Sequence, residues 1–357
     1  MKTLKIFQAF LALAIICASC KAPAAPPDVP LHKPETDENK GEGGGSNPTV
    51  VDLSVQYPDP KTPKVKTLLV DGFFTETTIK PGITLYSAEM KEEPVTKAHQ
   101  TVFVLEVDLN NEDYKVDFYY GKSDTTSSIA MKQNAIAAIN ACYELEAVYC
   151  KTDGVVHGTC TLDPDHLRFW KHEAAVVGDG DRKIGIVHGA KGAADHRDGG
   201  LQALEVYKNL KEPDIFASAP MLIDDYDPVG ASYVPASYTS SALSKLDGED
   251  WRRHQGVRHP RVAVALTDDN DLLMVVVDGR FSGKAEGMSA KELTNFLVKY
   301  FNPRWAINMD GGGSSTMYID GHGDPVNHVL NYPADNKKWD HYGQRKRPSL
   351  FLVKYAD

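Results

Sequence analysis

The clearest hydrophobic patterning in the chain lies between Arg258 and Asp320. Leu272-Leu273-Met274-Val275-Val276-Val277 is an unbroken apolar run, as expected of a strand covered on both faces, and it stops at Asp278-Gly279-Arg280. Ser289-Ala290-Lys291-Glu292 then spells a capping box, and Leu293, Phe296, Leu297, Tyr300 and Phe301 follow at helical spacing until Pro303. Trp305-Ala306-Ile307-Asn308-Met309 reads as a second strand, running into Asp310-Gly311-Gly312-Gly313-Ser314-Ser315-Thr316. Strand, capped helix and strand predict a βαβ unit over about 272–310 with the two strands parallel. That arrangement brings Asp278 and Arg280 to the same sheet edge as Asn308 and Asp310, where open α/β sheets place their ligands.

Around this unit the pattern is mostly extended. Arg261-Val262-Ala263-Val264-Ala265-Leu266 predicts a strand that pairs with 272–277 through the Asp268-Asp269-Asn270-Asp271 turn. Thr101 to Leu109 predicts another strand, Ser127 to Gln133 a short helix stopped by Asn134, and Ala135 to Asn140 an apolar run ending in a polar residue. Residues 49–96 alternate short extended runs with Pro and Gly breaks and read as a small β-rich entry segment. The expected class is therefore α+β, a mixed β-sheet core with helices packed on it, and the folded domain is expected to span 97–357.

The N-terminus is different in kind. Lys2 and Lys5 precede an apolar run from Ile6 to Ala18, too short to cross a bilayer comfortably, which is the form of a secretory signal. Ala18-Ser19-Cys20 resembles a bacterial lipobox, so residues 1–19 are expected to be removed, Cys20 lipidated, and the protein anchored at the cell envelope; the plainer alternative is a secretory signal cut nearby. Residues 20–48, rich in Ala, Pro, Glu, Gly and Ser, cannot bury a core and are expected to be a tether.

The composition of the 357 residues is ordinary for a globular protein, with a formal charge of −10. Removal of Lys2 and Lys5 with the signal takes it to −12. A chain so acidic is a poor nucleic-acid binder, because phosphate neutralisation needs clustered cations. Of five cysteines, Cys17 leaves with the signal and Cys20 carries the lipid, so Cys142, Cys150 and Cys160 remain as disulfide candidates and at least one of them is unpaired. His157, His166, His172, His188 and His196 fall in a Gly- and Asp-rich stretch without metal-ligand spacing and read as surface loop residues.

The chemistry concentrates at the edge defined above. Three glycines followed by Ser314, Ser315 and Thr316 form a loop that brings backbone N–H groups and hydroxyls close to a ligand. Arg280 offers a planar fork for phosphate, and Asp278 and Asp310 are a pair of carboxylates for acid, base or nucleophile work. The plainer alternatives are a wide turn for the glycines and cap residues for the aspartates. By its position at a strand start, Arg261 reads as a surface residue.

Taken together, Ala138-Ile139-Asn140, Pro260-Arg261-Val262-Ala263-Val264, Val276-Val277-Asp278-Gly279-Arg280, Gly287-Met288-Ser289, Asn308-Met309-Asp310-Gly311-Gly312-Gly313-Ser314-Ser315-Thr316-Met317 and Arg347-Pro348 resemble the phosphodiester glycosidase family over about residues 97–357. One segment departs from the pattern: Ala141-Cys142 stands where the family usually carries two glycines. The resemblance implies hydrolysis of a sugar 1-phosphodiester at its anomeric carbon–oxygen bond. It implies Asp310, then Asp278, as catalytic carboxylates. Arg280, Arg261 and Arg347 would hold phosphate, and Asn140, Asn308 and the Gly311–Ser315 loop would contact substrate. No cofactor is required; a structural divalent cation is compatible with the acidic residues, though no local pattern specifies one. Two other classes fit the same residues: a surface glycan-binding lipoprotein without catalysis, and a metal-dependent phosphodiesterase.

Overall fold

The computed structural model describes Val55 and residues 73–356. The signal, Cys20 and the tether lie outside the described residues. Three antiparallel sheets carry the fold. The largest has seven strands in the spatial order Thr75–Lys80, Ile83–Met90, Gln100–Asp108, Asp271–Val277, Arg261–Leu266, Trp305–Asn308 and Met221–Ile223. A five-stranded sheet is built from Val155–Thr159, Tyr149–Thr152, Asp214–Ser218, Ala174–Gly178 and Ile184–Val187. The third has four strands, Met317–Ile319, Ala137–Asn140, Arg347–Tyr355 and Tyr114–Asp124.

The uninterrupted apolar runs have a direct explanation in this layering. Successive side chains of a strand point to opposite faces. On one face of the seven-stranded sheet Val104, Ala263, Leu273, Val275 and Val277 pack with Leu293, Phe296, Leu297 and Tyr300 of the helix Ala290–Tyr300. Their alternates Phe103, Leu105, Val262, Val264, Met274 and Val276 join the central core shared with the other two sheets. Both faces are buried, so neither can be polar. The helix starts as its sequence dictates, with the Ser289 hydroxyl accepting from Glu292 N and the Glu292 carboxylate accepting from Ser289 N.

The α+β class holds, and the βαβ unit is realised with one strand inserted. Asp271–Val277 and Trp305–Asn308 run parallel because both pair antiparallel with Arg261–Leu266, which lies between them. Their C-terminal ends therefore converge on the start of the intervening strand, with Arg261 opposite Val277 and Ala263 opposite Asn308. The entry strands Thr75–Lys80 and Ile83–Met90 extend this same sheet, Ile83–Met90 pairing along its whole length with Gln100–Asp108.

Candidate active site

The loop after Asn308 is shaped by contacts with its neighbours. Gly312 N donates to the Pro260 carbonyl at 2.9 Å, and a Cβ on Gly311 would lie 2.7 Å from that same oxygen. Gly312 adopts φ 63°, and a Cβ there would come within 3.0 Å of the Arg280 guanidinium. Asn140 ties both ends of the loop: its Nδ2 donates to the Asp310 carbonyl at 2.6 Å and its Oδ1 accepts from Thr316 N at 3.0 Å. Asn140, expected to contact substrate, is thus occupied in holding the loop. Ala141 and Cys142 are buried in the central core, and the Ala141 carbonyl accepts from Asp310 N at 3.0 Å.

Asp310 sits at the centre. Its carboxylate is ion-paired with Arg347, which enters from the start of the strand Arg347–Tyr355 beside a register irregularity. Burial raises the Asp310 pKa, while Arg347 and the Ser314 hydroxyl oppose that rise. Burial alone would depress Arg347, but Asp310 and Glu144 outweigh it and hold the guanidinium charged. Glu144 in turn is bound at 3.1 Å by Lys171, which reaches Glu249 at 2.7 Å. Beside Asp310, Asn308 Nδ2 donates to the Tyr143 hydroxyl at 3.1 Å and the Ala219 carbonyl at 2.8 Å. Tyr143 is pushed well above its ordinary pKa by burial and then by the Asp310 charge, so it is a neutral phenol.

Around this pair the polar lining is unsatisfied. Asn308 Oδ1, Ser315 Oγ, Thr316 Oγ1 and Arg347 Nε are buried and have no hydrogen-bond partner among the described residues. Interiors pair such atoms almost without exception, at a cost of about 1–3 kcal/mol for each one left unmade. Their concentration on one loop and its neighbours marks a surface arranged for something other than stability.

The two arginines of the central edge separate in role. Arg261 is fully buried: its Nε donates to the Met288 carbonyl at 2.7 Å, Nη1 to Gln255 Oε1 at 2.9 Å, and Nη2 to the His254 and Val257 carbonyls at 3.0 Å. Its expected surface position is wrong, and its donors are committed to the protein. Burial brings its pKa down to about 10. Arg280 is exposed, adopts φ 69°, and no carboxylate forms an ion pair with it among the described residues. A non-glycine residue at positive φ is uncommon and costs about 1–3 kcal/mol. His259 lies 3.5 Å from Arg280 Nη2 and is held neutral, its pKa driven down to about 3 by burial and then by Arg261 and Arg280.

Asp278 is also displaced from the expected role. It is buried and accepts from Asn331 Nδ2 at 2.8 Å and from Tyr332 N at 3.1 and 3.0 Å, and burial lifts its pKa to about 7. Asn331 also donates to the Ser315 carbonyl and accepts from Met317 N, so Asp278 braces the glycine loop through Asn331. Asn331, Tyr143, Glu144 and Gln255 had no distinguishing signal in the sequence. The histidine stretch needs correction too. His172 is buried with its ring nitrogens on the Ala147 and Gly200 carbonyls, and His188 bridges Glu173 and Asp224. Among the described residues no group of three or more His, Cys, Asp or Glu side chains is placed to hold a metal ion.

Fold and site thus define an α+β protein with an anion-competent site at the converging ends of its central strands. The sequence model of the phosphodiester glycosidase family matches residues 134–354, and the chain belongs to that family. No curated protein matches the chain. Its fold is similar to the catalytic domain of zebrafish N-acetylglucosamine-1-phosphodiester alpha-N-acetylglucosaminidase, auto-inhibited by its pro-peptide, at TM-score 0.50 and 15% identity over 78% of this chain and 85% of that one. A hypothetical protein from Synechocystis is similar at TM-score 0.50 and 12% identity, over 79% of this chain and 64% of that one.

Proposed function

We propose that this protein hydrolyses a sugar 1-phosphodiester at the anomeric carbon–oxygen bond, releasing a free sugar and a phosphomonoester. The observation that carries the reading is Asp310 clamped to Arg347 within a lining of unpaired buried polar atoms. The leaving phosphomonoester is a stable anion with a second pKa of about 6, so it needs charge stabilisation more than a proton. Arg280 and Arg347 supply that stabilisation, and the Ser315 and Thr316 hydroxyls contact the oxygens of the sugar or phosphate. Asp310 serves the oxocarbenium-like carbon or its attacking water. Asp278 and Arg261 are positioning residues in this account.

The lipobox reading places the enzyme on a lipid-anchored tether at the bacterial cell envelope, acting on phosphoglycan substrates. Turnover of a sugar 1-phosphodiester by the purified protein, lost by about 10² or more in Asp310→Asn, tests the assignment. Binding of phosphoglycan without turnover by the unaltered protein sinks it in favour of a non-catalytic glycan-binding role.

A further inference from the structure

A second set of chemically loaded side chains lies apart from the Asp310 loop. A cavity of about 280 Å³ opens between the 3₁₀ turn Phe169–His172, the loop 190–195 and the start of the helix His196–Asn209. Trp170, Tyr233 and His196 give it aromatic walls, and Glu173 and His188 give it charge. His196 packs with tilted rings 4.9 Å from Tyr233 in the wall and 4.2 Å from Trp251 behind it. Glu173 Oε1 is taken by His188 at 3.2 Å, its Oε2 is buried without a hydrogen bond among the described residues, and the Tyr233 hydroxyl lies beside the carboxylate.

Most of the charges around this cavity are paired. Burial works against protonation of His188, but Asp224 and Glu173 carry its pKa up to about 9, and Lys191 pairs with Asp224 at 2.9 Å. Glu173 and Asp224 are thus answered by His188 and Lys191, and a third carboxylate on the rim, Asp195, caps the helix by accepting from Asp198 N at 2.9 Å. An anion would meet the Glu173 oxygen, and a cation would find that charge already answered. What remains is a neutral ligand with hydroxyl donors for a carboxylate oxygen and an apolar face for aromatic rings, which is the chemistry of a pyranose.

We propose that this cavity is a binding subsite for a neutral sugar ring, with Glu173 Oε2 accepting its hydroxyls and Tyr233, His196 and Trp170 packing against its face. The subsite is linked to the Asp310 region through Trp170, which meets Tyr143 edge-on at 5.9 Å, Tyr143 being hydrogen-bonded to Asn308. A glycan chain bearing the phosphodiester could be gripped there as well as at the scissile end. The proposal stands apart from turnover, so its test does not depend on Asp310.

The test is saturation-transfer NMR on the full chain with glucose, galactose, mannose and N-acetylglucosamine at millimolar concentration, with choline as a cationic control. The proposal expects transfer to at least one sugar and none to choline. It expects the sugar affinity to fall about tenfold or more in Glu173→Gln, which keeps the side-chain shape while removing the acceptor charge. Ala193→Phe, which fills the cavity without touching its ion pairs, must do the same. Transfer to choline instead of sugars, absence of sugar binding, or sugar binding kept in folded Glu173→Gln and Ala193→Phe would each overturn it.

Discussion

The carboxylate of Asp310 and the guanidinium of Arg347 form an ion pair in the interior, and Arg347 Nε beside it has no hydrogen-bond partner among the described residues. Each residue is expensive to bury alone, because a desolvated charge without its counter-charge costs several kcal/mol. The pair can therefore stay buried only as long as both members are present.

Arg347→Met should consequently do two separable things. It should lower stability by about 3–5 kcal/mol at neutral pH through the orphaned Asp310, and lower kcat/KM by about 10² or more through lost charge stabilisation. Adding Asp310→Asn should return much of the stability and none of the activity. Thermal unfolding and turnover of the single and double variants check both parts. Full stability in Arg347→Met would show that the pair is not coupled.

Arg280 offers the opposite contrast. Its φ of 69° suits glycine, and no carboxylate forms an ion pair with it among the described residues. Arg280→Gly should keep or raise stability, by up to about 1 kcal/mol once the entropy that glycine loses on folding is set against the relieved backbone strain. The phosphodiester kcat/KM should fall by about 10². A variant that loses stability along with activity would make Arg280 a structural residue.

Asp278 leaves a signature in the pH dependence of stability. Its folded pKa of about 7 lies above the ordinary 3.8, so the folded state retains a proton that the unfolded chain has released. That contribution is complete below pH 3.8 and is lost as pH rises through about 7, amounting to at most about 4 kcal/mol. Asp278→Asn cannot titrate, so the melting-temperature gap between it and the unaltered protein should move in the variant's favour from about pH 5 to about pH 8. A gap independent of pH would place the Asp278 pKa near its ordinary value.

Much of this arrangement was legible in the sequence wherever local physics decides it. The capping box at Ser289 and Glu292, the apolar run 272–277 and its hairpin with 261–266 are all local patterns, and all formed as expected. What escaped depends on contacts made over long sequence distances. The strand between Asp271–Val277 and Trp305–Asn308 is the earlier hairpin partner, which the strand-helix-strand pattern does not reveal. Arg261 looked like a surface residue because its acceptors, the carbonyls of His254, Val257 and Met288 and the Gln255 side chain, are supplied by the fold. Asn331 lies in an aperiodic segment, and only the folded structure shows it joining Asp278 to the glycine loop.

The central claim concerns which bond breaks, and hydrolysis in oxygen-18 water reads it directly. Attack at the anomeric carbon, assisted by Asp310 and with phosphate leaving toward Arg280 and Arg347, puts the label on the C1 hydroxyl of the released sugar and none in the phosphomonoester. Label in the phosphomonoester, with an unlabelled sugar, would mean attack at phosphorus and would contradict the account.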